Sequence, residues 1–197
     1  MNSRTEQAEG RAPDFTERTL DSRPIYQGKI ISLKVDTVAL PDGSTATREI
    51  ISHPGAVAVI AVVDGKLLVV EQYRKPLERM QVEIPAGKLD GEEDLEEAAR
   101  RELREETGYE CVNMTLLHSF ATSPGFADEV IHLFVAEDLR PGEAAPDEDE
   151  FLTVGALTPE EAVRAIAEGR ICDAKTLLAV YAWEKYRATG RWGWPVR

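Results

Sequence analysis

The polar and apolar positions of this chain alternate before they do anything else. From Ile25 to His53, "IYQGKIISLKVDTVALPDGSTATREIISH", a period of two runs on both sides of Pro41-Asp42-Gly43. Alternation around such a turn signal predicts paired strands. Pro54-Gly55 then breaks the chain, and "AVAVIAVV", Ala56 to Val63, predicts a fully apolar strand. Asp64-Gly65 predicts a tight hairpin into "KLLVVEQY". "MQVEIP", "MTLLHSFATS", "EVIHLFVAEDL" and "FLTVGAL" predict further strands, with "PGEAAPDEDE" as an acidic loop before the last.

The period lengthens to that of a helix three times. The first helix lies within "PAGKLDGEEDLEEAARRELREETGYE". The second opens with Thr158 as cap, Pro159 at the first helical position and Glu161 completing a capping box, and Gly169 ends it. The third runs from Asp173, as N-cap, to about Ala188. Strands with one central helix and two terminal ones make an α+β order rather than a regular βαβ alternation. No GxGxxG and no internal repeat is present. Residues 1–22 are polar and aperiodic and predict a mobile or loosely docked tail. Residues 23–53 predict a β extension, and 54–197 the main domain.

Composition narrows the function. The chain has 197 residues with ordinary hydrophobic and charged fractions, enough for one domain with a core plus a small extension. A net charge of −13 argues against a nucleic-acid partner. An acidic chain that binds a phosphate ligand needs metal ions or a few focused arginines. Cys111 and Cys172 show no metal-binding spacing and predict reduced packing residues. The longest apolar run is too short to span a membrane, and no signal-peptide pattern opens the chain, so a cytoplasmic location is the expectation.

The first helix carries an anomaly. Successive residues turn by about 100°. On that wheel Glu102 and Glu106 share the sector of Leu95, Ala98, Ala99 and Leu103, with Glu105 at its edge. Carboxylates facing a core are costly unless paired or metal-bound, and clustered carboxylates repel. A divalent cation answers both problems, and hard oxygen donors suit Mg2+ or Mn2+. Gly87, Glu93, Arg101, Glu102, Leu103, Glu105, Glu106 and Gly108 also stand in the spacing Gly-x5-Glu-x7-Arg-Glu-Leu-x-Glu-Glu-x-Gly. That pattern resembles the Nudix box, the signature of the Nudix hydrolases. One position departs from it: Tyr109 follows Gly108 where an aliphatic residue is usual.

The resemblance implies an α/β/α sandwich with a mixed sheet, and metal-dependent hydrolysis of a nucleoside diphosphate linked to another group. It implies Glu102 and Glu106 as principal metal ligands, with Glu105 as a further ligand or a supporting group. The Ala86 carbonyl would be another ligand, and Arg101 would pair with carboxylates of the box, Glu93 or Glu105 among them, and hold them in place. The segments "LPDG", "HPGAVAV", "VEQYRKP", "EIPAGKLD", "DEDEF" and Ser123-Pro124-Gly125 resemble the ADP-ribose pyrophosphatase subfamily. This likeness implies ADP-ribose as substrate, with AMP and ribose 5-phosphate as products. It implies a general base on the loop after the sheet, where Glu148 and Glu150 stand. Glu148 is favoured as base with Glu150 on the metal side, and the reverse order stays open. It further implies Arg74 at the phosphates, Arg48 and His53 on the nucleoside side, Pro124 in a specificity loop, Tyr26 as a possible adenine stacker, and a homodimer built through the amino-terminal strands. Other substrates of the family (a nucleoside diphosphate sugar, a dinucleoside polyphosphate) and a non-catalytic ligand sensor are the alternatives.

Overall fold

The computed structural model describes residues 14–145 and 151–193. The chain forms two compact units, Met1–Ser52 and His53–Arg197. The first holds an antiparallel sheet of β1 (Arg18–Gln27), β2 (Ser32–Ala39) and β3 (Thr45–Ser52), in that order. Its β2–β3 turn is the expected one. Asp42 Oδ1 accepts from the Ser44 N–H at 2.9 Å, and Gly43 takes a positive φ of 85°. The first strand starts at Arg18, inside the stretch whose lack of periodicity predicted a tail. Every residue of β1 is exposed, so no buried face imposes a period of two. Backbone pairing with β2 alone makes it a strand, and Pro24 is tolerated because β1 lies at a sheet edge.

The second unit is a mixed sheet in the order β10-β5-β4-β9-β8, with β6 on β5 and β7 on β4. Its strands are β4 (Ala56–Val63), β5 (Lys66–Arg74), β6 (Arg79–Glu83), β7 (Ala86–Lys88), β8 (Tyr109–Ala121), β9 (Val130–Pro141) and β10 (Leu152–Leu157). Only β4 and β9 pair in parallel among the described residues. The helices are α1 (Leu95–Thr107), α2 (Pro159–Ala167) and α3 (Ala174–Thr189).

The reason β4 is apolar throughout is now visible. Val57, Val59 and Ala61 pack against Ala98, Ala99 and Leu103 of α1. Ala58 and Ile60 pack on the other face against Ala162 and Ala165 of α2 and Val180 and Trp183 of α3. A strand covered on both faces has no polar positions to alternate. The result is the α/β/α sandwich that the Nudix resemblance implies. Each fully buried Val, Leu or Ile contributes about 1.5–3 kcal/mol, so the two packed faces are what hold the layers together.

Two stretches differ from the sequence reading. β8 begins at Tyr109 directly after α1, five residues before the apolar run at Met114. Its first residues, Tyr109–Asn113, mix polar and apolar side chains and are recruited by pairing with the end of β9, from Tyr109 opposite Pro141 onward. Ala86–Lys88, without any strand pattern, pairs with Ala56–Ala58. That short strand brings the backbone of Ala86 and Gly87 under α1.

Candidate active site

The site begins at the two ends of α1. Asp94 caps its start, accepting from the N–H groups of Glu96 at 2.9 Å and Glu97 at 3.2 Å. Gly108 ends it at φ 76°, with its N–H on the Arg104 carbonyl at 2.8 Å. Between these caps the helix is locked in rotation by Ala98, Ala99 and Leu103, all fully buried. That rotation sends Glu102 and Glu106 inward, to 8% and 2% exposure, while Glu105 stays half-buried and Arg104 faces solvent.

Strand β7 runs past both inner glutamates. The Ala86 N–H donates to Glu106 Oε2 at 3.0 Å. Gly87 faces the Glu102 carboxyl so closely that a Cβ on it would stand 1.9 Å from Glu102 Cδ. Arg101 gathers the remaining carboxylates. It grips Glu93 with Nε and Nη2, at 3.0 and 2.9 Å, and Nη1 donates to Glu102 at 2.7 Å and to Glu105 at 3.1 Å. Hydrogen bonding to Glu93, then to Glu102 and Glu105, outweighs burial and raises the arginine's pKa, so it is a permanent cation. Among the described residues no three acidic, His or Cys side chains converge as a ready coordination cluster. The bonds above explain this: Glu102 and Glu105 turn to Arg101, and Glu106 turns to the β7 backbone.

A second charged group adjoins this helix. By strand alternation and register, Arg74 and Glu83 project from the sheet face that carries α1. Arg74 Nε and Nη2 donate to the two Glu83 oxygens at 2.7 and 2.8 Å. Lys175, from the first turn of α3, also donates to Glu83 Oε2, and to Asp173 Oδ1 at 3.0 Å. Arg74 feels the charges of Glu106 and Asp173 as well. Burial alone pushes the Glu83 carboxyl up, but the hydrogen bonds and charges of Arg74 and Lys175 prevail and hold it at about 2. Because Glu83 titrates lower folded than unfolded, its stabilisation is complete above about pH 4.5 and disappears as pH falls through about 2. Urea unfolding between pH 6 and pH 2 is therefore expected to cost the wild type about 3 kcal/mol more than Glu83→Gln. Equal losses in the two proteins would remove Glu83 as the titrating group.

Residues 52–180 match the family model described as NUDIX domain. The chain belongs to the Nudix family. Residues 17–51 match a second model, nucleoside diphosphate sugar hydrolase N-terminal domain. The Nudix chain is 56% identical over 169 residues to the methanol dehydrogenase activator of Bacillus methanolicus, covering 84% of this chain and 91% of that one. It is 50% identical over 167 residues to the ADP-ribose pyrophosphatase of Bacillus subtilis, covering 83% and 90%. Its fold is also that of a solved ADP compounds hydrolase, with a TM-score of 0.80 at 21% identity, covering 92% of this chain and all of the other. Nudix hydrolases of the ADP-ribose pyrophosphatase type generally depend on a divalent metal ion.

The other expected Nudix site residues divide between the two units. In the first, Arg48 is engaged by Glu17, with Nε to Oε2 at 2.8 Å, and Nη1 donates to the Thr47 carbonyl. Tyr26 folds its exposed ring over Gly28, whose missing Cβ would stand 2.7 Å from it. In the second, the His53 N–H donates to Asp128 Oδ1 at 2.8 Å, and His53 Nδ1 accepts from the Gly55 N–H at 3.1 Å. Pro124 sits exposed in a turn closed by the N–H groups of Phe126 and Ala127 on the Ser123 carbonyl. Glu148 and Glu150 lie outside the described residues. The chain leading to them is tied to the end of α1: the Gly142 N–H donates to the Gly108 carbonyl at 2.6 Å, and the Ala145 N–H to the Glu105 carbonyl at 2.9 Å.

Sequence reasoning missed Glu83, Lys175 and the second role of Asp173, which it read only as a helix cap. A signal existed in "QVEIP". A glutamate between Val82 and Ile84, on a strand with buried neighbours, calls for a cationic partner.

Proposed function

We propose that this Nudix hydrolase cleaves the pyrophosphate of ADP-ribose with water to give AMP and ribose 5-phosphate. The observation that carries the reading is the junction of α1 with β7, where buried Glu102 and Glu106 line one backbone edge and Arg101 ties half-buried Glu105 to Glu102. The 50% identity to a chain called ADP-ribose pyrophosphatase supports the substrate. The donor set fits a hard divalent ion. Its carboxylates offer oxygen ligands only, and Gly87, having no Cβ, lets the Glu102 carboxyl lie directly against the β7 backbone.

Glu102, Glu105 and Glu106, with the Ala86 carbonyl, would hold Mg2+ or Mn2+. When bound, such an ion neutralises the diphosphate and polarises its phosphorus–oxygen bonds. The protein's own groups do the rest. Arg101 holds Glu102, Glu105 and Glu93 in place against their mutual repulsion. Arg74 binds a phosphate oxygen through its guanidinium edge. Glu148 removes the proton of the attacking water, with Glu150 as its partner on the metal side, or the two in the reverse order. The tether of Ala145 to the Glu105 carbonyl supports that role, because it roots the loop at the carboxylate helix. The same proposal gives Arg48 and His53 adenine- or ribose-side contacts, Tyr26 a stacking contact with adenine, and Pro124 a place in the specificity loop. A homodimer formed through residues 23–53 and a cytoplasmic location belong to it as well. The unpaired thiols of Cys111 and Cys172 fit a reducing compartment, and among the described residues no helix is long and apolar enough to cross a membrane.

A panel of ADP-ribose, GDP-mannose and diadenosine polyphosphates with Mg2+ tests the substrate. ADP-ribose is expected to rank first by kcat/KM, and a rank outside the best substrates overturns the assignment. A second reading rests on the relative at 56% identity, which is called an activator of methanol dehydrogenase. On that reading the chain raises the rate of a dehydrogenase. Methanol oxidation by such an enzyme, unchanged when the chain is added, would remove it.

A further inference from the structure

We propose that Lys175 is a positioning residue for the phosphate-binding arginine Arg74, acting through the carboxylate of Glu83 that the two cations share. The proposal rests on the reading that the site takes a diphosphate.

Three observations carry it. The first is the geometry of Arg74. Its Nε and Nη2 edge is consumed by Glu83, and among the described residues Nη1 has no hydrogen-bond partner. The Arg74 side chain is 39% exposed and Glu83 only 3%. The guanidinium is therefore clamped along one edge and presents the other outward, the arrangement that a bidentate oxyanion contact needs.

The second is charge. Paired with Arg74 alone, Glu83 would cancel the charge that attracts phosphate and would itself repel the ligand. Lys175 divides that carboxylate's field. Arg74, Lys175, Glu83 and Asp173 sum to zero. Without the lysine they sum to minus one, beside the acidic face of α1 and where a polyanion must dock.

The third is the position of Lys175 itself. It is 9% exposed and lies in the first turn of α3, at the positive end of the helix dipole. A buried ammonium there opposes the dipole. Burying an ion pair rather than an apolar side chain also gives little stability. What a lysine at this place does have is Glu83, a buried carboxylate that it shares with Arg74. The group ties three elements into one support: β5 through Arg74, β6 through Glu83 and α3 through Lys175.

Lys175→Met is expected to raise KM for ADP-ribose tenfold or more with kcat changed about twofold or less, because the lost interaction acts on substrate and transition state alike. Kd for inorganic pyrophosphate in Mg2+, measured by calorimetry, is expected to rise in parallel. The double variant Glu83→Gln/Lys175→Met restores the zero sum but keeps only one acceptor for the Arg74 edge, and is expected to recover part of both losses. A purely packing role predicts the opposite, a double variant worse than the single. An unchanged KM and pyrophosphate Kd in folded Lys175→Met overturns the proposal, as does a double variant that recovers nothing. Should Lys175→Met not fold, Lys175→Gln removes the charge while keeping a donor, and the same outcomes decide. Failure of the substrate reading shows in the wild type, as no hydrolysis of ADP-ribose. Failure of this inference shows only in the variant-to-wild-type ratio, which pyrophosphate binding reports without turnover.

Discussion

Glu106→Gln is expected to lower kcat for ADP-ribose at least about a thousandfold, about 4 kcal/mol of transition-state stabilisation, without lowering Tm. The two halves of that result come from different properties of one side chain. Glu106 is 2% exposed and accepts from the Ala86 N–H at 3.0 Å. A glutamine oxygen makes the same bond, so the α1–β7 contact survives. Its neighbour on the inner face is Glu102, and neutralising one of two clustered carboxylates relieves repulsion rather than creating it. What disappears is an anionic oxygen, and a hard divalent ion binds a neutral amide far less well. Steady-state kinetics with saturating Mg2+ and a thermal melt by circular dichroism read the two halves separately. A kcat within tenfold of wild type would sink Glu106 as a metal ligand.

Gly87→Ala is expected to reduce kcat/KM by about a hundredfold with a Tm close to that of the wild type. The nearest atoms to an added Cβ are Glu102 Cδ and Oε1 at 1.9 Å and Oε2 at 2.2 Å. All three belong to the tip of a flexible side chain, which can swing away. The backbone at Gly87 is not in the left-handed region, so alanine brings no φ strain there. The cost falls on the displaced carboxylate, and a misplacement of about 1 Å in a catalytic group is worth about a hundredfold. Gly108, at the other end of the same motif, is held for a different reason. It has φ 76°, and its Cβ would stand 2.7 Å from the backbone nitrogen of Ala144. Neither atom can yield without moving the chain. One glycine of the box thus guards a side chain's position and the other a backbone turn. An unaltered kcat/KM in Gly87→Ala, alongside a native melt, would mean that Glu102 need not stand where it does.

The parts of this protein legible in its sequence are those governed by short-range periodicity. β4 declares itself by eight apolar residues and α2 by its capping box. α1 shows the rotation that sends Glu102 and Glu106 inward, because 100° per residue is a local rule. The Nudix spacing is legible for the same reason: it lies within one strand, one loop and one helix. What the tertiary structure decided was made by long-range contacts that leave no local pattern. β1 is a strand only because β2 pairs with it, and Ala86–Lys88 only because β4 does. Arg101, expected to pair with box carboxylates such as Glu93 or Glu105, takes both and Glu102 as well. The Glu83–Lys175 pair joins residues 92 apart in sequence. No periodicity extends that far. Electrostatic partners across such a distance are chosen by the packing of α3 on the sheet, and so the acidic helix could be read from the chain while the cationic support behind Arg74 could not.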